Sequence, residues 1–261
     1  MQLLTLPTGA AFGVPKGRPL PKTTGQVQIV GGSRGGQGAC ARAAALAPSD
    51  VHSDVYSRAQ LRAALSPTTR DSVTGVRAYV DESVRENAPG LYVLAAVVVD
   101  VDQAEALRAG LQAALLPGEQ RLHWHDEGAE ARARLANVCG SLNLLAVVAV
   151  STPMQRTRQE RARALCLTGL LWELAGRDVP EVVLESRRQR DRHDRSTIGA
   201  AKQARAAHPA LHFEHRGPLQ EPLLWLSDVV AGAVALDRLG QGAYLEALGG
   251  SISVVEVAGA G

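Results

Sequence analysis

From Val76 onward, short apolar segments alternate with amphipathic ones, and this alternation constrains the fold more than any other feature of the chain. VRAYVDES alternates in polarity and is β-branched, as a strand requires. LYVLAAVVVDV, LNLLAVVAV and VPEVVLES are long or Val-rich enough to be buried strands. Between and after them lie segments whose leucines recur at helical spacing. Strands that alternate with helices predict a layered α/β domain rather than an all-β or all-α one.

The first 75 residues differ from the rest in composition. They are rich in Gly, Pro, Ser and Thr and carry a positive net charge, whereas residues 76 to 261 carry a negative one. A segment of this kind buries too little apolar surface to offset the entropy lost on ordering. We therefore predict a low-complexity, disordered N-terminal extension over residues 1–75 and one α/β domain over residues 76–261.

Several protein classes are disfavoured by the sequence. Its apolar runs fall short of the roughly 20 residues of a membrane span, and the start lacks the regions of a signal peptide. Cys40, Cys139 and Cys166 match no zinc or redox spacing. We expect a cytoplasmic protein with reduced thiols and no membrane partner.

Three acids stand where carboxylates carry chemistry. Asp81 and Glu185 each end an apolar strand, and open α/β sheets present the carboxyl ends of their strands to ligands. Asp228 interrupts LLWLSDVVAGAVAL, a helix otherwise apolar around most of its circumference. A buried carboxylate needs a cation, a hydrogen-bond donor or water beside it. Mg²⁺ or Mn²⁺, which prefer oxygen ligands, would satisfy all three acids together.

Other interpretations of these acids stay open. An acid at a strand end is often a turn former or a cap, and Asp228 could instead pair with an arginine of the segment that follows Glu185. The candidates for that pairing are Arg187, Arg188, Arg190 and Arg192. Glu82 is a possible accessory acid, although it could face the opposite side of the strand from Asp81, because side chains alternate along a strand.

The segment HWHDE contains two histidines and two acids. His123 and His125 would point the same way on a strand, but no third ligand follows at a spacing typical of zinc. His123 or Asp126 could lie at the rim of the carboxylate site as a proton shuttle or an additional acid. Alternatively, the segment is a polar turn with Trp124 packed in the core.

The run ESRRQRDRHDR places five arginines beside the proposed site. Arg187 and Arg188 could hold phosphates, since guanidinium groups bind phosphate in bidentate fashion. A solvated helix start with internal ion pairs to Asp191 and Asp194 explains the same residues.

Six segments, in this order, resemble a family of RNase H-like proteins called domain of unknown function 3800. They are AYVDES, LYVLAAVVV, LHWHDE, ERARALCLTGLLWEL, VVLESR and LLWLSDVVAGAV. The resemblance spans roughly Val76 to Val255 and implies an RNase H-like mixed sheet flanked by helices. It also implies an active site of Asp81, Glu185 and Asp228. Two departures are Val84, where many relatives have Gly, and Glu185, where Asp is common.

These observations lead to two hypotheses. The first is a metal-dependent nuclease that hydrolyses RNA or DNA, with Asp81, Glu185 and Asp228 as catalytic residues and ligands of Mg²⁺ or Mn²⁺. The second is a non-catalytic RNase H-like module that binds nucleic acid or a partner protein, for example in phage defence or mobile-element biology. A two-metal centre, with its ions roughly 4 Å apart, requires the three carboxylates to lie together.

Overall fold

The computed structural model describes residues 75–87, 89–125 and 127–261. Within these residues the strands are β1 (Val76–Arg85), β2 (Leu91–Asp100), β3 (Leu145–Ser151), β4 (Glu181–Glu185), β5 (His212–Arg216) and β6 (Ser251–Val257). The α-helices are α1 (Val101–Ala113), α2 (Ala129–Gly140), α3 (Gln159–Gly176), α4 (Asp191–Gln203), α5 (Leu224–Asp237) and α6 (Ala243–Leu248). The predicted extension, residues 1–75, lies outside the described residues except for Gly75.

All six strands form one mixed sheet in the order β5-β4-β1-β2-β3-β6. β2 runs antiparallel to β1 and β3, and the other neighbouring pairs are parallel. The connection between the antiparallel strands β1 and β2 is short, whereas α1 and α2 lie between β2 and β3, and α4 forms the crossover between the parallel strands β4 and β5. This arrangement of a mixed sheet flanked by helices confirms the predicted α/β fold class.

Helices cover both faces of the sheet and create two cores. One core contains α1, α2, α5 and α6, and the other contains α3 and α4. The strands serve both cores because successive side chains point to opposite faces. In β1, Tyr79 belongs to the first core and Val80 to the second. By the same alternation, Asp81 faces α5 and Glu82 faces α3.

Helix α5 is apolar around nearly its whole circumference because it packs between the sheet and its neighbouring helices. It contacts β1 and β2 on one side and α2 and α6 on others. Twelve of its residues are buried, from Leu224 to Leu236 with Asp228 excepted. In the part of the chain that the structure describes, neither α5 nor another helix combines the length and the apolar character needed to cross a membrane.

Candidate carboxylate site

Asp81 and Glu185 lie side by side where β1 and β4 part. The two strands are paired in parallel over residues 77 to 80 of β1, and the last partners are Val80 and Leu184. Asp81 and Glu185 are the next residues on each strand. Tyr79 and Val183, two positions earlier on each strand, both belong to the core under α5. Both acids therefore face α5 at the carboxyl end of a parallel strand pair.

Asp228 approaches the same region from α5. Ser227, the residue before it, donates a hydrogen bond of 2.6 Å from Oγ to the carbonyl oxygen of Tyr79. This bond fixes the helix against β1 close to Asp81. The Oδ2 atom of Asp228 accepts the backbone N–H of Trp124 at 2.9 Å and lies 2.9 Å from His123 Nδ1. Among the described residues, Asp228 thus interacts with Trp124 and His123, and it forms no ion pair with an arginine of the segment after Glu185.

The segment around Trp124, whose backbone N–H binds Asp228, is fixed in place by a close packing contact. The Trp124 ring is almost fully buried and lies directly on Gly232, one turn after Asp228. A Cβ atom at residue 232 would meet the ring at 2.0 Å, so only glycine permits this approach. Trp124 also forms an edge-to-face contact with Tyr244 of α6, with ring centroids 5.4 Å apart. The predicted core position of Trp124 is confirmed.

The electrostatics of the site reflect gathered negative charge. Burial raises the pKa of Asp81 well above its usual range, and repulsion from Glu185, Glu82 and Asp228 raises it further. Burial also raises the pKa of Glu185, although its hydrogen bond with Asp81 and the nearby Arg121 oppose that rise. A proton or a cation must relieve the repulsion among these carboxylates.

The donors of this site suit a hard divalent ion. Three carboxylates from three elements supply oxygen atoms, which Mg²⁺ and Mn²⁺ prefer. The spacing is loose, however: Asp81, Glu185 and Asp228 do not bring one ligand atom each within 4.8 Å of one another in the described structure. The donor set therefore fits such an ion in kind but is not closely gathered.

A second polar cluster lies on the opposite face of the sheet, and the sequence did not predict it. One ligand atom each of Asp191, Asp194 and His215 lie within 4.8 Å of one another, a spacing that would accommodate a metal ion. Arg163 already occupies this cluster, however, and binds the two oxygens of Asp194 at 2.7 and 2.8 Å. Burial alone would raise the pKa of Asp194, but hydrogen bonds with His215 and Arg163 hold it below its usual range. The cluster is thus neutralised by an arginine.

Two other predicted side chains belong to this second network. Glu82 pairs with Arg163 on the α3 face, as the alternation along β1 indicated. Arg187 pairs with Glu160 at 2.9 Å and with Asp194 at 3.1 Å. Arg187 thus makes internal ion pairs of the kind that we considered as the alternative to phosphate contact.

The remaining predicted residues are more exposed or not described. Arg188 is exposed and has a positive φ of 58°. His125 is exposed, whereas the His123 side chain keeps 29% of its surface accessible beside Asp228. Asp126, the possible accessory acid, lies outside the described residues.

Comparisons with known proteins place the fold among solved structures. A scan of protein-family models and a search of curated proteins both give no match to this chain. Two crystal structures of Bst-RNase HIII are similar to it. A point mutant has 17% identity and a TM-score of 0.41, and covers 64% of this chain and 55% of its own. The complex with Mn²⁺ has 16% identity and a TM-score of 0.39, and covers 64% of this chain and 54% of its own. The chain therefore spans about half the length of these ribonuclease chains.

Proposed function

We propose that this protein is a metal-dependent nuclease that hydrolyses phosphodiester bonds in RNA or DNA. The observation that carries the proposal is the position of buried Asp81 and partly buried Glu185 side by side where the parallel strands β1 and β4 part, with the pKa values of both raised. Acids with perturbed pKa values are typical of functional sites, and ligands of α/β sheets bind where neighbouring strands part. The resemblance to domain of unknown function 3800 remains a prediction that points the same way.

In this proposal Asp81, Glu185 and Asp228 hold Mg²⁺ or Mn²⁺. Bound between carboxylates, such ions activate water and stabilise the leaving oxygen of a phosphodiester. The protein's own groups orient the ligands: the backbone N–H of Glu82 donates to Asp81 Oδ1 at 2.7 Å, and that of Trp124 donates to Asp228. Fixed donors of this kind set the direction of each carboxylate, as partners of metal ligands commonly do.

His123 is placed to move a proton beside the site. Its Nδ1 atom contacts Asp228, and the side chain is partly accessible to solvent. Imidazole groups commonly serve as general acids and bases in enzyme sites. We therefore assign His123 the role of a proton carrier at the rim of the site.

The loose spacing of the acids favours a second candidate function. Among the described residues, Asp191, Asp194 and His215 bring one ligand atom each within 4.8 Å of one another, whereas Asp81, Glu185 and Asp228 do not. A non-catalytic RNase H-like module that binds nucleic acid or a protein would tolerate such spacing.

Cleavage assays distinguish the two candidates. Labelled RNA, DNA and hybrid duplexes are incubated with the protein and Mg²⁺, Mn²⁺ or a chelator, next to Asp81→Asn, Asp228→Asn and a control, Asp102→Asn. Asp102 is an exposed acid of α1. We expect cleavage by the wild type and the control only, and none with the chelator. Cleavage that survives either site substitution contradicts the assigned roles, and binding without cleavage supports the second candidate.

A further inference from the structure

β1 extends beyond β4 at the end of the sheet where the carboxylate site lies. β4 pairs only with residues 77 to 80, so residues 82 to 85 are paired with β2 alone. Ser83 and Arg85 share the face of Asp81, because they follow it at intervals of two residues. At about 3.3 Å per residue, Arg85 lies about 13 Å further along the strand. The acid site and Arg85 thus line one continuous strip of β1.

Arg85 is a partly buried cation, and two of its nitrogen atoms are buried without a hydrogen bond. Its Nε and Nη2 atoms are both inaccessible to solvent and have no partner among the described residues. A buried, unsatisfied donor is costly, and more so when it carries a charge. Burial lowers the pKa of this guanidinium, and repulsion from Arg132 lowers it further. Such a side chain is tolerated where an external anion completes its contacts.

Arg132 supplies a second cation with no acidic partner among the described residues. Its Nε and Nη2 atoms donate to the carbonyl oxygens of Trp124 and His125 at 3.2 and 3.0 Å. Its guanidinium carbon lies 5.9 Å from the centroid of the Trp124 ring. These contacts fix the orientation of Arg132 without neutralising it. They also fasten it to the loop whose Trp124 N–H binds Asp228.

Six buried or partly buried arginines of the described chain are paired with acids, whereas Arg85, Arg121 and Arg132 form no ion pair with a described acid. The paired ones are Arg77 with Glu181, Arg108 with Glu221, Arg134 with Glu119, Arg163 with Asp194, Arg177 with Glu173 and Arg187 with Glu160. Arg85 and Arg132 are close enough to repel each other, and together they form a local excess of positive charge on the face of the sheet that carries the acids. A polyanion whose scissile group enters the acid site would need both the acids and this positive charge.

We propose that Arg85 and Arg132 form a phosphate-binding subsite for the nucleic-acid strand that flanks the bond to be cut. Planar guanidinium groups bind phosphate oxygens in bidentate fashion, and two of them can hold one phosphate from two sides. The assignment of the phosphate to a substrate strand rests on the proposed nuclease function. The capacity to bind a phosphate does not, and it can be measured without cleavage.

The binding test uses a labelled oligonucleotide in chelator, so that cleavage does not occur. Arg85→Gln is compared with wild type and with Arg161→Gln, an exposed arginine of α3 on the opposite face of the sheet. Loss of one phosphate contact is expected to weaken binding about tenfold at low salt and to reduce the slope of log K against log salt by about one. Arg161→Gln should leave both quantities unchanged. Arg85→Lys, which keeps the charge and loses the planar fork, should fall between them.

A second measurement covers the effect of the substitution on folding. Inorganic phosphate should raise the thermal unfolding midpoint of the wild type and of Arg161→Gln, but not that of Arg85→Gln. Without phosphate, Arg85→Gln should unfold no lower than the wild type, because it removes a buried charge that has no partner. A lower midpoint for phosphate-free Arg85→Gln would contradict the subsite, as it would reveal a structural role for Arg85.

The outcomes separate the subsite from the nuclease proposal. If Arg85→Gln and Arg161→Gln bind alike while the wild type cleaves, the subsite is overturned and the nuclease stands. If Arg85→Gln alone loses affinity while the wild type fails to cleave, the subsite stands and the nuclease is overturned. Absence of nucleic-acid binding and of phosphate stabilisation in the wild type overturns the subsite.

Discussion

At the scale of single residues, the position of Asp228 depends on what surrounds it. A carboxylate in an apolar helix must find donors, and this one finds them in the N–H of Trp124 and in His123. The sequence indicates that Asp228 needs a partner, but the identity of the partner depends on the loop conformation. Trp124 reaches α5 because residue 232 has no side chain. That packing contact joins two segments distant in sequence and is not visible in either segment alone.

Gly232→Ala therefore tests how the loop is held. The added methyl group would meet the Trp124 ring, so the loop must shift, and overpacking of this kind costs about 1–3 kcal/mol. The control is Gly199→Ala in α4, where a Cβ meets nothing within 4 Å and helix propensity should add about 0.5–1 kcal/mol. Denaturant unfolding measures both changes. Equal effects of the two substitutions would show that Trp124 does not need Gly232.

The raised pKa values of Asp81 and Glu185 predict how stability depends on pH without metal ions. A carboxyl group whose pKa is higher in the folded state favours folding while it is protonated, and that contribution is lost as the pH rises through the folded value. From about pH 4 upward, where unfolded acids ionise, the metal-free wild type should thus lose stability relative to Asp81→Asn. Thermal unfolding at several pH values in chelator measures the difference. A constant difference between the two proteins would contradict the coupling of Asp81 and Glu185.

At the scale of elements, one buried arginine joins β1, α3 and α4. The Arg163 side chain is only 2% exposed, binds Asp194 through two nitrogens and also pairs with Glu82. Glu82 is the neighbour of Asp81, and Asp194 also pairs with Arg187, which follows Glu185 and Ser186. The ion pairs of Arg163 on one face of the sheet thus anchor the backbone next to Asp81 and Glu185, whose side chains lie on the other face.

Arg163→Met is expected to destabilise the protein by about 3–5 kcal/mol, because it removes the closest cation of buried Asp194 and of Glu82, which then keep the longer contacts with Arg187. Arg161→Met, two residues earlier on the exposed side of α3, should change stability by less than about 0.5 kcal/mol. The free energy of unfolding in denaturant provides the comparison. A small effect of Arg163→Met would mean that water replaces the arginine easily.

The elements differ in how far the sequence predicts them. The apolar segments named above predict β1 to β4, and the run LLWLSDVVAGAVAL predicts α5, which is found over Leu224–Asp237. β6 and α6 are not predicted, because α6 has six residues and β6 is an edge strand with mostly half-buried side chains. The Arg163 network is missed as well, since an arginine in an amphipathic helix gives no sign that tertiary packing will bury it.

At the scale of the whole molecule, topology brings distant acids together. Asp81 and Glu185 are neighbours because β1 and β4 pair in parallel through a crossover, and Asp228 joins them because α5 lies across both strands. Position at a strand end predicted Glu185, and the apolar helix predicted Asp228. Asp81 was expected at a strand end but lies inside β1, at the point where its pairing with β4 ends. How closely the three acids approach depends on helix packing, which the sequence does not specify. The same topology places Arg85 and Arg132 beside the acids.

Titration with Mn²⁺, followed by loss of the electron paramagnetic resonance signal of the free ion, tests the central claim most directly. The proteins compared are the wild type, Asp81→Asn, Asp191→Asn and Asp102→Asn. If Asp81, Glu185 and Asp228 hold the ion, binding is lost in Asp81→Asn and kept in Asp191→Asn and Asp102→Asn. Failure of the wild type to bind Mn²⁺, or binding that disappears with Asp191→Asn but survives Asp81→Asn, would contradict that assignment.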